Sequence, residues 1–341
     1  MTDARPRDWT DAAWLAEISA WARDRLARHD RSISGTVEQP HVRPWSTVLR
    51  IPTDRGPVWC KAAGPGTAHE VGLLAAFAAW DVRHVLLPLD ADPERGWLLF
   101  EDGGPTLRQT RPDGEGDRDL AAWEGILTTY AGLQRAVEGR ADELLRSGVP
   151  DGRPAAIPAT FRRLVDDDAW WDLVGDEDRA AAEAGRGRLR DLGEWVAATA
   201  GELDGSGIAA TIQHDDLHGG NVFVGPSGIR FFDWGDAVVA NPFGSMVATL
   251  NSIAYRLGMD PDGPELMRLR DAYLEAWTDV LPRPALADVL ERALDLGRIG
   301  KSAAWARALG GIDPAAMQGH GDAPAMWLVD LVERLDKRDQ R

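Results

Sequence analysis

The chain has 341 residues, 44% of them hydrophobic and 27% charged, a length that favours two domains or two lobes sharing a cleft and a composition that does not suggest disorder. A net charge of −17 repels phosphate backbones and argues against a nucleic-acid partner. The only cysteine is Cys60, so no intrachain disulfide can form; no stretch reaches the roughly 20 apolar residues of a membrane span and none resembles a signal peptide, so a cytoplasmic protein is expected.

Taken in order, residues 10–28 predict an amphipathic helix, with Trp14, Ile18, Trp21 and Leu26 at helical spacing behind a cap at Thr10 or Asp11. Strand-like runs at 45–51 and 58–61 flank the turn 52–56. After Gly64, Pro65 and Gly66, the Ala- and Leu-rich stretch 67–80 predicts a helix. Further strands are expected at 85–89 and 97–100 around a polar turn at 90–96. Glu101, Asp102, Gly103 and Gly104 break the pattern and set a boundary, with an N-terminal unit at 1–102 and a second at 103–341. Beyond it, 104–118 predicts a polar loop, and helices are expected at 119–138, 139–147, 158–174, 177–203, 243–258, 264–280, 284–309 and 322–338. Only 208–236 reverts to short β elements. The fold class is therefore α+β, a small sheet with one internal helix followed by a mostly helical unit.

The chemistry concentrates in 211–236. A strand at 222–224, a tight turn at 225–228 and a returning strand at 229–232 form a hairpin, with Asp216 and Asn221 before it and Asp233 after it. That order brings three oxygen-bearing side chains to one end of the hairpin. Phosphoryl transfer needs a carboxylate to accept the proton of the attacking hydroxyl, and hard oxygen ligands to hold Mg²⁺ against the phosphates. Any one of these residues alone is commonly a turn residue; all of them in register point to a site.

The stretch His214-Asp215-Asp216-Leu217-His218-Gly219-Gly220-Asn221, followed by Phe232-Asp233-Trp234, resembles the signature of the aminoglycoside phosphotransferase and choline kinase family. The resemblance implies a bilobal protein-kinase-like fold that binds a nucleotide, ATP or GTP, with Asp216 as catalytic base, Asn221 as a metal ligand and Asp233 as the principal Mg²⁺ ligand. Asp215 replaces the usual Gly, Gly219 the usual Pro, and Ser245 stands where the family often carries Asp. The family's acceptors are hydroxyls of small molecules: aminoglycosides and other antibiotics, amino sugars, sugars and amino alcohols. A monomer or homodimer without nucleic-acid or membrane partners is expected.

The first unit supplies matching parts. Lys61 ends an apolar run, as the phosphate-binding lysine of kinases does, and lysine is rare here, the others being Lys301 and Lys337. Glu70 is its expected partner, although Thr67-Ala68-His69-Glu70 also reads as a capping box that competes for the same carboxylate. His69 reads as a surface helix position. No Gly-rich phosphate loop precedes Lys61; Ser46 and Thr47 occupy its place. Phe100, Glu101 and Asp102 match the hinge whose backbone receives a purine in the family. The acidic run 166–168 with Asp172 reads as a solvated face that can also attract a polyamine, and Trp170, Trp171 and Trp305 as core residues that can also stack on a ring.

The same residues admit other readings. His214-Asp215 also occurs in metal-dependent phosphohydrolases, but the remaining five of the seven histidines show no ligand-like spacing. A protein kinase is disfavoured because only eight residues separate Asp233 from Pro242, too few for an activation loop. An inactive binding module requires loss of Lys61, Asp216, Asn221 or Asp233, and all are present.

Overall fold

In the computed structural model, which describes residues 8–111, 117–226 and 228–340, the first helix is α1 (Ala12–Arg28). Asp11 caps it by accepting the Trp14 N–H at 2.8 Å, an interaction of about 1 kcal/mol at a helix start. The antiparallel sheet that follows contains β1 (Glu38–Arg43), β2 (Ser46–Ile51), β3 (Val58–Ala63), β4 (Asp90–Asp92) and β5 (Trp97–Glu101), in the order β1-β2-β3-β5-β4, with α2 (His69–Ala79) between β3 and β4 in the chain. Strand alternation sorts the side chains. Leu49, Ile51, Cys60, Ala62, Trp97 and Leu99 share a core with Trp14, Ile18, Trp21 and Leu26 of α1. Lys61, paired across the ladder with Val48 and Leu98, therefore lies on the opposite face.

Two details of the sheet differ from expectation. β1 was not anticipated, and the strand expected at 85–89 is absent. Val85 makes only an isolated bridge to Phe231, and the Leu86 N–H donates to the Phe231 carbonyl at 3.0 Å. The edge strand is instead β4, inside the expected turn, where Asp90, Ala91 and Asp92 pair with Leu99, Leu98 and Trp97.

Downstream lie α3 (Leu107–Thr110), α4 (Asp117–Ala136), α5 (Ala141–Arg146), β6 (Asp151–Gly152), α6 (Ile157–Asp166), α7 (Asp168–Trp171), α8 (Asp176–Asp191), α9 (Gly193–Asp204), β7 (Thr211–Gln213), the hairpin β8 (Val222–Gly225) and β9 (Gly228–Phe231), β10 (Val238–Ala240), α10 (Met246–Leu257), α11 (Pro264–Leu274), α12 (Arg283–Leu309) and α13 (Ala323–Asp339). The polar loop expected at 104–118 holds α3, capped by Thr106 and Gln109 acting reciprocally; its residues 112–116, like Ser227 of the hairpin turn, lie outside the described residues. The helix expected at 158–174 breaks at Asp167, whose carboxylate caps α7, and the one at 177–203 breaks at Leu192. Among the described residues no helix is long and apolar enough to cross a membrane. β7 and β10 pair antiparallel, which places the loop before β8 and the loop after β9 side by side.

Candidate active site

The loop from β7 to β8 is held from behind by a buried polar network. The His214 N–H donates to the Tyr130 hydroxyl at 2.8 Å, and that hydroxyl lies 2.8 Å from the Ser245 hydroxyl. Gln134 Nε2 donates to the Ile212 carbonyl at 2.8 Å. Tyr130 thus ties the loop to α4, and Ser245 holds its hydroxyl in place. The Asp216 N–H donates to His214 Nδ1 at 3.3 Å, so the ring carries its proton on Nε2 and donates it to the Phe232 carbonyl at 2.9 Å. Burial lowers the His214 pKa to about 4, keeping the ring neutral. Asn221 Nδ2 donates to the Asp216 carbonyl at 2.9 Å and to Asp216 Oδ2 at 3.2 Å, which leaves its Oδ1 for another partner. His218 Nδ1 accepts the Gly220 N–H at 2.9 Å, and its Nε2 stands 3.6 Å from Asp216 Oδ2.

Asp233 follows β9 with φ of 64°, a left-handed conformation that Asp tolerates better than most residues. Lys61 Nζ donates to Asp233 Oδ1 and to Glu70 Oε2, both at 2.5 Å. Glu70 is fully buried, and its other oxygen accepts the Trp234 N–H at 2.9 Å. The competition between ion pair and capping box is settled by these contacts: α2 has no side-chain cap, and the Thr67 hydroxyl donates to the Gly64 carbonyl at 3.3 Å. Burial works against the Lys61 charge, but Asp233 and Glu70 outweigh it and hold the ammonium above its ordinary range. Burial also raises Glu70, against the pull of Lys61. For Asp233 the cation prevails over burial and holds the carboxylate below its usual value. His69, expected on the surface, instead braces the far side of the site with Nε2 3.0 Å from the Ala237 carbonyl.

Lys301 was not anticipated as part of the site. Buried on α12, it donates to the Asp215 carbonyl at 2.6 Å and lies 3.8 Å from Asp236 Oδ2. Its rarity as a lysine was the only signal. Desolvation, though Asp216 keeps 39% of its side chain exposed, pushes it up to about 7, opposed by the Lys301 charge and reinforced by Asp236, Asp233 and Asp215. Asp215, at φ 63°, turns away from the cleft: Oδ1 accepts from Gln213 Nε2 at 2.7 Å, and Oδ2 is buried with no partner among the described residues.

Burial raises the Asp215 pKa from 3.8 to about 6. The native state therefore binds this proton more tightly than the unfolded chain does. Stability is lost as pH rises through that interval. Asp215→Asn keeps the shape and the bond from Gln213 but removes the titration. Its stability relative to the parent should rise by about 2–2.5 kcal/mol between pH 4 and pH 8, as read by denaturant unfolding at the two pH values.

Two cavities meet at Asp233, Lys61 and Ser46. One, of about 260 Å³, is walled by Val48, Leu74, Leu86, Phe100, Phe223 and Phe232, and Glu101, Asp102, Gly103 and Gly104 line its rim. Phe223 and Phe232 stack 4.1 Å apart, and a Cβ on Gly103 would fall 2.2 Å from the Phe223 ring, so glycine lets the chain pass there. The other cavity, of about 410 Å³, holds Asp216, His218, Asp236 and Lys301. Ser46 touches both, whereas the fully buried Thr47 spends its hydroxyl on the His41 carbonyl at 2.8 Å. Asp167 caps α7, Asp168 pairs with Arg186 at 2.7 Å, and neither they nor Asp166 and Asp172 line the cavities around Asp216 and Asp233.

The donor set suits Mg²⁺. Among the described residues no group of three or more His, Cys, Asp or Glu side chains could hold a metal. The half-exposed Asp233 carboxylate and the free Asn221 Oδ1 supply one or two hard oxygens, as expected for an ion that takes its remaining ligands from phosphates and water.

Sheet, hairpin and helical arrangement together define an α+β protein-kinase-like fold of the kind found in small-molecule kinases. Among solved structures it matches choline kinase from Cryptosporidium parvum Iowa II, with TM-score 0.58 and 12% identity over 95% of this chain and 97% of that one. Ethanolamine kinase from Plasmodium vivax gives 0.57 and 12% over 86% and 80%, and a macrolide 2'-phosphotransferase from Brachybacterium faecium 0.54 and 18% over 89% and 97%. At these identities the likeness is one of fold. No protein-family model and no curated protein matches the sequence.

Proposed function

We propose that this chain is a small-molecule kinase that transfers the γ-phosphoryl group of ATP or GTP to an alcohol. The observation that carries this reading is Lys61, bonded at once to Glu70 and Asp233 at the junction of an apolar slot and an acceptor-side cavity that contains Asp216. The fold it shares with choline, ethanolamine and macrolide kinases supports the same reading. Two lobes, 1–102 and 103–341, enclose the nucleotide, its base in the slot against the backbone of Phe100, Glu101 and Asp102 and its phosphates beside Lys61 and Ser46.

Asp216 accepts the proton of the acceptor hydroxyl as that oxygen bonds to the γ-phosphorus and the bond to the β-phosphate oxygen breaks, releasing the nucleoside diphosphate. Asn221 and Asp233 would hold Mg²⁺, which neutralises charge on the phosphates. Glu70 fixes Lys61, and the His214 network fixes the backbone of Asp216. Acceptors drawn from the resembled family are aminoglycosides or other antibiotics, which would make the activity a resistance reaction, and alternatively amino sugars, sugars or amino alcohols.

The test is Mg²⁺-dependent nucleotide consumption against a panel of those compounds. Turnover of at least one is expected, and none on any compound would favour a binding module. Mg·ATP or Mg·GTP should also slow hydrogen exchange at the amides of 100–102; exchange there that ignores both nucleotides counts against the hinge assignment.

A further inference from the structure

The acceptor-side cavity carries information on what fits it, and the inference drawn from it rests on the kinase reading. Its helical wall is the face of α10 at Ala248, Asn251, Ser252 and Tyr255, spaced i, i+3, i+4 and i+7 and bearing no charge. Opposite stand Trp45, from the turn between β1 and β2, and Trp305 of α12, edge to face at 5.2 Å, with Trp327 beside them. These rings are only partly buried: His320 stacks on Trp305 and meets Trp45 edge-on, both at 5.3 Å, and the rest of their surface, with Tyr255 at 92% exposed, faces the cavity. Apolar rings left open around a concave site are area that a ligand can cover.

The charges tell against a polycation. Apart from Asp216 and Asp233, Asp236 is the one carboxylate among the described residues lining this cavity. It is already beside Lys301, at 3.8 Å, and the Arg307 guanidinium donates to its carbonyl at 3.2 Å. The wall beyond the reacting groups thus has no net negative charge to offer, and each ammonium group brought in without a carboxylate partner is desolvated at a cost. One cation, by contrast, can rest on an aromatic face.

We propose that the acceptor is an alcohol on a bulky ring scaffold with a largely apolar face and no more than one ammonium group, gripped by Tyr255, Trp305 and Trp45. Polyamine antibiotics are poor acceptors. The test is calorimetric titration of the chain, loaded with Mg·ADP, which cannot turn over, with erythromycin and lincomycin (one ammonium each) and with kanamycin and neomycin (several). At least one single-ammonium compound should bind about tenfold or more tightly than either polyamine. Tyr255→Ala, a change at an exposed position that leaves the core intact, should weaken that binding about five- to tenfold. Trp305→Ala should weaken it further, and Asp168→Asn, on the acidic run outside the cavity, should not change it. Tighter binding of kanamycin or neomycin, absence of binding by both single-ammonium compounds, or affinities within twofold of the parent in both aromatic variants would each overturn the inference. Failure of Mg·ADP itself to bind would instead overturn the kinase reading, so the two failures are distinct.

Discussion

Asp216→Asn should lower kcat by about 10²–10⁴ while leaving the KM for nucleotide nearly unchanged, the usual consequence of removing a positioned general base. The substitution conserves shape. Asn can still accept from Asn221 Nδ2, which reaches Asp216 at 3.2 Å, and the backbone bond to His214 does not involve the side chain. Loss of rate therefore reports the carboxylate's basicity, not collapse of the loop. The pH profile adds a second readout. Desolvation pushes this carboxyl up to about 7, and only its ionised form can take a proton. The parent's kcat/KM should accordingly rise with pH through a limb at or below neutrality. On the kinase reading, Mg²⁺ held by Asn221 and Asp233 would favour the ionised form and draw that limb to lower pH. In Asp216→Asn the limb should vanish. A variant that keeps both its rate and its acid limb would remove Asp216 from the role of base.

Much of this site was legible because its parts lie close in sequence. Asp216, Asn221 and Asp233 are separated only by a loop and a hairpin, so local chain geometry already brings them toward one end. Lys61 could be placed because it ends an apolar strand run, and the sheet then sets it opposite the face that Cys60 and Ala62 bury. The long helices α10, α11, α12 and α13 were expected within a few residues of where they lie.

What escaped reading depended on distant partners. β4 consists of Asp90, Ala91 and Asp92, which have low strand propensity, and it is extended only because β5 offers a ladder. Lys301 reaches the Asp215 carbonyl across 86 positions, a distance over which spacing carries no signal. The same holds for Trp45 and Trp305, whose meeting depends on how the sheet and α12 pack. Glu70 was ambiguous for a local reason: a capping box and an ion pair require the same residues, and only the tertiary position of Lys61 decides between them.

The largest stability effect is expected at that ion pair. Lys61→Met should destabilise the fold by about 3–5 kcal/mol, because it strands the Glu70 carboxylate in a fully buried position with only the Trp234 N–H to serve it. It should also reduce kcat by a factor on the order of 10²–10³, through loss of the cation at the phosphates. The double variant Lys61→Met/Glu70→Gln separates the two consequences. Gln can keep accepting the Trp234 N–H while carrying no charge, so most of the lost stability should return and the lost activity should not. The pH dependence has a definite sign. Without Lys61, burial raises the Glu70 pKa against only the Trp234 N–H, so the native state binds this proton more tightly than the unfolded chain does. The destabilisation of Lys61→Met should then shrink as pH falls and Glu70 becomes neutral, whereas the double variant, lacking that carboxyl, should recover less, keeping only the part that comes from Asp233, which Lys61 holds below its usual pKa in the parent. Unfolding measurements at acidic and neutral pH decide the matter: a Lys61→Met penalty that is the same at both would mean that Glu70 is relieved by some group other than Lys61.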